Sequence, residues 1–193
     1  MIRKNFNPLE QFYTPQATAD WVVQVCRDQP WWIEIVECIE PTAGKGVFVN
    51  ALQPYDHYMT VHAFDLEPLH PDVQQADTLE IPVETLLWND KKGCPTPRDH
   101  VLLIGNPPFG RASGLAYKVL DHYAEHCGYM AVIVPRSMAI PPSYSKSRTM
   151  PKSHEVLFTL SLPDNKFELP DGKTKEIKGC ALLISRHKAL RFE

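Results

Sequence analysis

The run Val101-Leu102-Leu103-Ile104-Gly105 passes directly into Asn106-Pro107-Pro108-Phe109, and few folds can accommodate that junction. Five mostly apolar residues predict a core strand. The two prolines then end ladder pairing, because each fixes φ and neither has an N–H to donate. The residue before a proline is held extended, so the carbonyls of Asn106 and Pro107 take preset directions before any ligand arrives. A side-chain amide oxygen and a neighbouring carbonyl can each accept one proton of a planar amine, and Phe109 can stack on the ring that carries it. The simpler reading is a turn in which Asn106 bonds its own backbone. What the rest of the chain places nearby decides between them.

The local patterns frame that turn. Thr14-Pro15 reads as an N-cap followed by proline at the first helical position, and Ala17, Trp21, Val22 and Val25 recur at helical spacing, which predicts a helix over residues 15–28. Residues 33–40 alternate like a strand, Pro41-Thr42-Ala43-Gly44-Lys45-Gly46 turns the chain, and a short helix follows near 47–53. Strand, glycine turn, helix is the start of a βαβ unit. A second strand near 60–65 ends in Phe64-Asp65-Leu66-Glu67-Pro68, and residues 69–98 are irregular and proline-punctuated. Ser113 is placed to cap a helix with Ala116, Val119, Leu120, Tyr123 and Ala124 inward, before a strand from Tyr129 to Val134. A proline-, serine- and lysine-rich loop over 135–153 precedes a closing hairpin of residues 156–162 and 178–186. This order predicts an α/β, Rossmann-like, doubly wound and mostly parallel sheet with an antiparallel C-terminal hairpin at its edge.

The bulk properties fit one globular domain over residues 1–193: 22.0 kDa with 44% hydrophobic residues is enough for a full core. No apolar stretch has bilayer-spanning length and no apolar segment follows the N-terminus, so the expectation is a soluble intracellular protein. The five cysteines, 26, 38, 94, 127 and 180, form no paired motif, and free thiols are expected. His122 and His126 stand four apart without a third ligand, so no metal is expected. The net charge of −3 conceals an asymmetry: residues 1–125 hold 9 Lys/Arg and 17 Asp/Glu, a balance of −8, and residues 126–193 hold 11 and 6, a balance of +5. Between His126 and His154 the charged residues are Arg136, Lys146, Arg148 and Lys152, a local excess that either neutralises phosphates or solvates a loop.

In a doubly wound sheet, ligands bind beyond the carboxyl ends of the strands where strand order reverses. Gly44 and Gly46 would let a ligand approach the first turn closely, and Asp65 could grip two ribose hydroxyls. The turn is not G-x-G-x-x-G, and Glu40 would repel a pyrophosphate while matching the ammonium of an amino-acid moiety. That chemistry favours S-adenosylmethionine over a dinucleotide. Asp77 stands where a third strand should end and could accept from the adenine amine of such a cofactor.

Taken in order, Phe12-Tyr13-Thr14-Pro15, Glu40 to Gly46, Phe64 to Pro68, Ala76-Asp77 and Asn106-Pro107-Pro108-Phe109-Gly110 resemble the class I adenine-N6 methyltransferases of γ-type motif order. The resemblance implies that Thr14 and Pro15 line the methionine end of S-adenosylmethionine, while Glu40, Pro41, Gly44 and Gly46 shape its pocket. It implies Asp65 at the ribose, Asp77 at the adenine, and Asn106, Pro107, Pro108 and Phe109 at the target amine. It further implies a second aromatic against the target base, for which Phe167 is the candidate. Lys45 departs from the pattern of relatives. The implied substrate is adenine in nucleic acid, DNA before RNA, with Arg136, Lys146, Arg148 and Lys152 toward the phosphates. The resemblance covers most of the chain but includes no large target-recognition region, so weak sequence selectivity or a protein partner that supplies recognition is expected. A protein glutamine amide and a silent nucleic-acid-binding scaffold are the other readings.

Overall fold

The computed structural model describes residues 12–89, 93–108, 114–139, 150–177 and 179–190. In chain order its elements are α1 (Gln16–Arg27), β1 (Glu37–Glu40), α2 (Val47–Leu52), β2 (Thr60–Asp65), β3 (Gln74–Gln75), α3 (Val83–Leu86), β4 (Trp88–Asn89), β5 (Cys94–Pro95), β6 (Val101–Gly105), α4 (Gly114–Tyr123), β7 (Tyr129–Pro135), β8 (His154–Ser161), β9 (Lys166–Glu168), β10 (Thr174–Glu176) and β11 (Cys180–His187). The seven-stranded sheet has the order β3-β2-β1-β6-β7-β11-β8.

Side-chain alternation explains the apolar runs. Cys38, Leu102, Ile104, Ala131, Ile133, Leu182 and Ile184 face one way, onto Ala19, Val22 and Cys26 of α1 and Phe48 and Leu52 of α2. Their neighbours Ile39, Leu103, Met130, Val132, Val134 and Leu183 face the other way, onto Ala116, Val119, Leu120 and Tyr123 of α4. A strand covered on both faces needs apolar residues at every position, and β6 is buried throughout. β1 pairs in parallel with β2 on one side and β6 on the other, and β6 pairs in parallel with β7. Strand order therefore reverses between β1 and β6.

Three expectations are corrected. Residues 33 and 34 belong to a 3-10 turn over Pro30–Glu34, so β1 is only four residues long. The turn buries Trp31, stacked on Tyr129 at 4.4 Å, and Trp32, edge-on to Tyr55 at 5.2 Å, leaving Ile33 79% exposed. The burial of two indoles outweighs the alternating pattern. On α1 the buried face is Thr18, Ala19, Val22, Val23 and Cys26, one step round from the stripe that begins at Ala17, and Pro15 occupies the N-cap without side-chain capping from Thr14. The antiparallel strand is β11, which inserts between β7 and β8, so β8 is the edge and runs parallel to β7.

Candidate active site

The carboxyl ends of β1, β2 and β6 deliver Glu40, Asp65 and Asn106 to one cleft of about 180 Å³, far more space than a water molecule requires. Thr14, Pro41, Gly44, Asp77, Pro107 and Pro108 line it as well. Chain order carries each of them to this edge, because every parallel strand ends there and a short turn follows.

Asp65 organises the glycine turn. Its Oδ2 accepts from the Gly44 N–H at 2.7 Å and its Oδ1 from the Glu67 N–H at 2.8 Å, which leaves lone pairs on both oxygens for a further donor. Gly44 has φ +49, and a Cβ there would lie 3.0 Å from the Tyr13 ring, so only glycine fits between turn and ring. Asp77 caps the next turn, accepting from the Leu79 N–H at 3.0 Å.

Two acceptors in the cleft have no donor. Glu40 is 1% exposed, and its Oε2 is buried without a partner. Burial first, and the Asp65 carboxylate second, push its carboxyl well above the usual carboxylate range. The Asn106 amide nitrogen donates to the Phe12 carbonyl at 2.9 Å, whereas its Oδ1 is buried and unpartnered. A carbonyl can only accept, so Phe12 settles which way the amide faces and the oxygen is the atom left over. Buried polar groups are almost always paired, and two unpaired acceptors in one cleft are the signature of a site that a donor-bearing ligand completes.

Several sequence-selected residues lie elsewhere. Pro15 does not line the cleft. Gly46 has φ +68 and its missing Cβ makes room for the His70 ring 2.5 Å away, so its constraint is internal packing. Phe167 is 1% exposed within the core beneath β9, and does not line the cleft. Arg136 follows β7 at the cleft edge of the sheet, its amide bonded to Gly179 O. Lys152 lies two residues before β8 begins, and His154 pairs with His187 beside the start of β7, so Lys152 is on the opposite edge. Phe109, Lys146 and Arg148 lie outside the described residues. His122 and His126 bond separately, to the Ile81 carbonyl at 2.9 Å and to Glu84 at 3.5 Å.

The cleft also uses residues that sequence reasoning did not select. Phe12 and Tyr13 form its rim, Lys45 its mouth, and Leu66, Leu79, Leu115 and Val119 an apolar wall. The wall comes from four separate segments, so no local pattern reveals it. Lys45 was visible as an unusual cation in a glycine turn, and it pairs with Glu168.

The sequence matches no protein-family model and no curated protein. Solved structures do resemble it. A proposed RNA methyltransferase from Pyrococcus horikoshii is 18% identical, over 95% of this chain and 91% of that one, with a TM-score of 0.59. A proposed class I S-adenosylmethionine-dependent methyltransferase from Listeria monocytogenes is 13% identical, over 100% of this chain and 65% of that one, with a TM-score of 0.56. The methyltransferase subunit of a type I restriction-modification system from Streptococcus thermophilus is 17% identical, over 92% of this chain and 45% of that one, with a TM-score of 0.54. The fold is the Rossmann-like one of class I methyltransferases. Within that fold, this chain is distinguished by the pair of unsatisfied acceptors, Glu40 Oε2 and Asn106 Oδ1, on either side of the point where strand order reverses.

Proposed function

We propose that this protein transfers a methyl group from S-adenosylmethionine to the exocyclic N6 amine of adenine in nucleic acid, with DNA as the first substrate. The observation that carries this reading is the buried, unpartnered Oδ1 of Asn106, whose amide nitrogen is already committed to Phe12. The residues of the cleft suit the cofactor. Glu40 offers a buried acceptor to an ammonium, Asp65 and Asp77 offer carboxylate oxygens to ribose hydroxyls and an adenine amine, and Thr14, Pro41 and Gly44 shape the space between.

When bound, the cofactor supplies a methyl group on a sulfonium, already a strong leaving group. The adenine amine is a poor nucleophile because its lone pair is delocalised into the ring. Asn106 Oδ1 and the Pro107 carbonyl would accept its two protons and favour the pyramidal nitrogen that attack requires, an interaction strongest in the transition state. A nitrogen–carbon bond forms as the carbon–sulfur bond breaks, and the amine, acidic once methylated, loses a proton to solvent. In a duplex the base must first leave the stack at a cost of a few kcal/mol, which stacking by Phe109 would offset.

RNA adenine is the second reading, favoured by the likeness in fold and extent to the proposed RNA methyltransferase of P. horikoshii. Labelled-methyl incorporation into single-stranded DNA, duplex DNA, RNA and protein, followed by nucleoside analysis, separates the substrates. Label in N6-methyladenine is expected, and label in protein would replace the reading with glutamine methylation. Asn106→Ala is expected to lower turnover by about 10²–10³-fold while calorimetric cofactor binding persists. Near-normal turnover in that variant would sink the mechanism.

A further inference from the structure

Asn106 reaches its orientation through a strap that begins on the far side of the cleft. Its amide nitrogen is held by the Phe12 carbonyl. Phe12 is fixed in turn by its neighbour Tyr13, which exchanges two backbone hydrogen bonds with Glu168 of β9, N–H to O at 2.8 Å and the reverse at 2.9 Å. The Glu168 side chain pairs with Lys45 in the glycine turn, and the Lys45 ammonium lies 5.1 Å from the centre of the Tyr13 ring. That ring rests on Gly44. A continuous path therefore runs from the cation of the glycine turn, through Glu168, Tyr13 and Phe12, to the amide of Asn106.

An asparagine amide has nearly the same shape in its two orientations but opposite hydrogen-bonding character. With Phe12 in place, the oxygen faces the cleft and attracts an amine. Were the Phe12 carbonyl to move away, the NH2 end could turn inward and meet the amine donor to donor. We infer that Lys45 and Glu168 are positioning residues for the methyl-acceptor site, holding the strap that selects the Asn106 orientation. Lys45 acts on the target amine through this path.

The inference rests on the proposed reading of Asn106 as the amine acceptor, so its test includes a readout that needs no substrate. In ¹⁵N-labelled protein the Asn106 side-chain amide, identified by its absence in Asn106→Asp, reports the bond to Phe12 through slow hydrogen exchange. Glu168→Gln and Lys45→Met are expected to speed that exchange and to lower kcat by about tenfold, with cofactor affinity within about twofold of the parent. Lys45→Arg, which keeps the cation, should behave as the parent does. The pair is about one-third exposed, so neither variant should unfold the protein. Unchanged exchange and turnover in Glu168→Gln would overturn the inference, as would a loss of cofactor affinity equal to the loss of kcat. If the parent protein methylates no adenine substrate, the functional reading falls, and the exchange measurement still judges the strap.

Discussion

At the edge where β1 and β6 end, Glu40 and Asn106 each bury an oxygen that has no donor, whereas at the opposite edge, where β7 begins and β11 ends, buried polar groups turn to one another. There Arg98 donates to the His187 ring at 2.7 Å and pairs with Glu125 at 3.5 Å, and the rings of His154 and His187 meet edge-on at 5.2 Å. His154 Nε2 also lacks a partner, but burial and the adjacent His187 push its basicity down to about 4, and the neutral ring needs no counter-charge. Glu40 is neutralised by burial too, yet it borders a cleft that can admit a cation. The same desolvation therefore serves folding at one edge and leaves a ligand site at the other.

Glu40→Gln should break the comparison most strongly. Loss of a buried carboxylate opposite a ligand ammonium is expected to weaken cofactor binding by about a hundredfold, measured by calorimetry. The free protein should at the same time gain stability at alkaline pH. Because the folded pKa of Glu40 is raised, its contribution is complete below the ordinary carboxylate range and is lost as pH rises through the raised value. A variant that melts lower at pH 8 and still binds normally would show that Glu40 serves the fold instead.

At the other edge the sign reverses. The folded pKa of His154 is depressed, so its contribution is present above about 6.5 and is lost as pH falls toward about 4. Urea unfolding between pH 7 and pH 4.5 should lose about 1.4 kcal/mol per pH unit from this one group, and His154→Leu should remove that slope without altering cofactor affinity. An unchanged slope would mean that other groups carry the acid sensitivity.

The smallest effect sharpens the contrast most directly. Arg136→Ala, at the cleft edge, should weaken oligonucleotide binding several-fold and reduce the salt-dependence slope by about one, while Lys152→Ala, at the opposite edge, should do neither. Equal effects of the two would place the nucleic-acid surface somewhere other than the cleft edge.

Much of the site is legible in the sequence because a strand followed by a tight turn is a local event. Glu40, Asp65 and Asn106 all fall at strand ends, and parallel pairing gathers those ends on one edge. Phe167 and Lys152 were not legible. Whether a hairpin phenylalanine covers a base or fills the core, and at which edge a loop returns, depends on how β8 and β11 pair, and no local pattern encodes that pairing. The strand expected over 33–40 failed for a similar reason, since the partners of Trp31 and Trp32 lie at Tyr129 and Tyr55.

By itself, the sequence determined the strands covered on both faces, the order of the turns between them, and the residue types at the strand ends, all of which follow from short-range steric and hydrophobic constraints. Tertiary structure decided what those residues can do. Asn106 faces the cleft with its oxygen because a carbonyl 94 residues earlier takes its nitrogen, and Lys45 is held by a carboxylate 123 residues later. Such long-range hydrogen bonds depend on chain closure, and only the folded molecule supplies it.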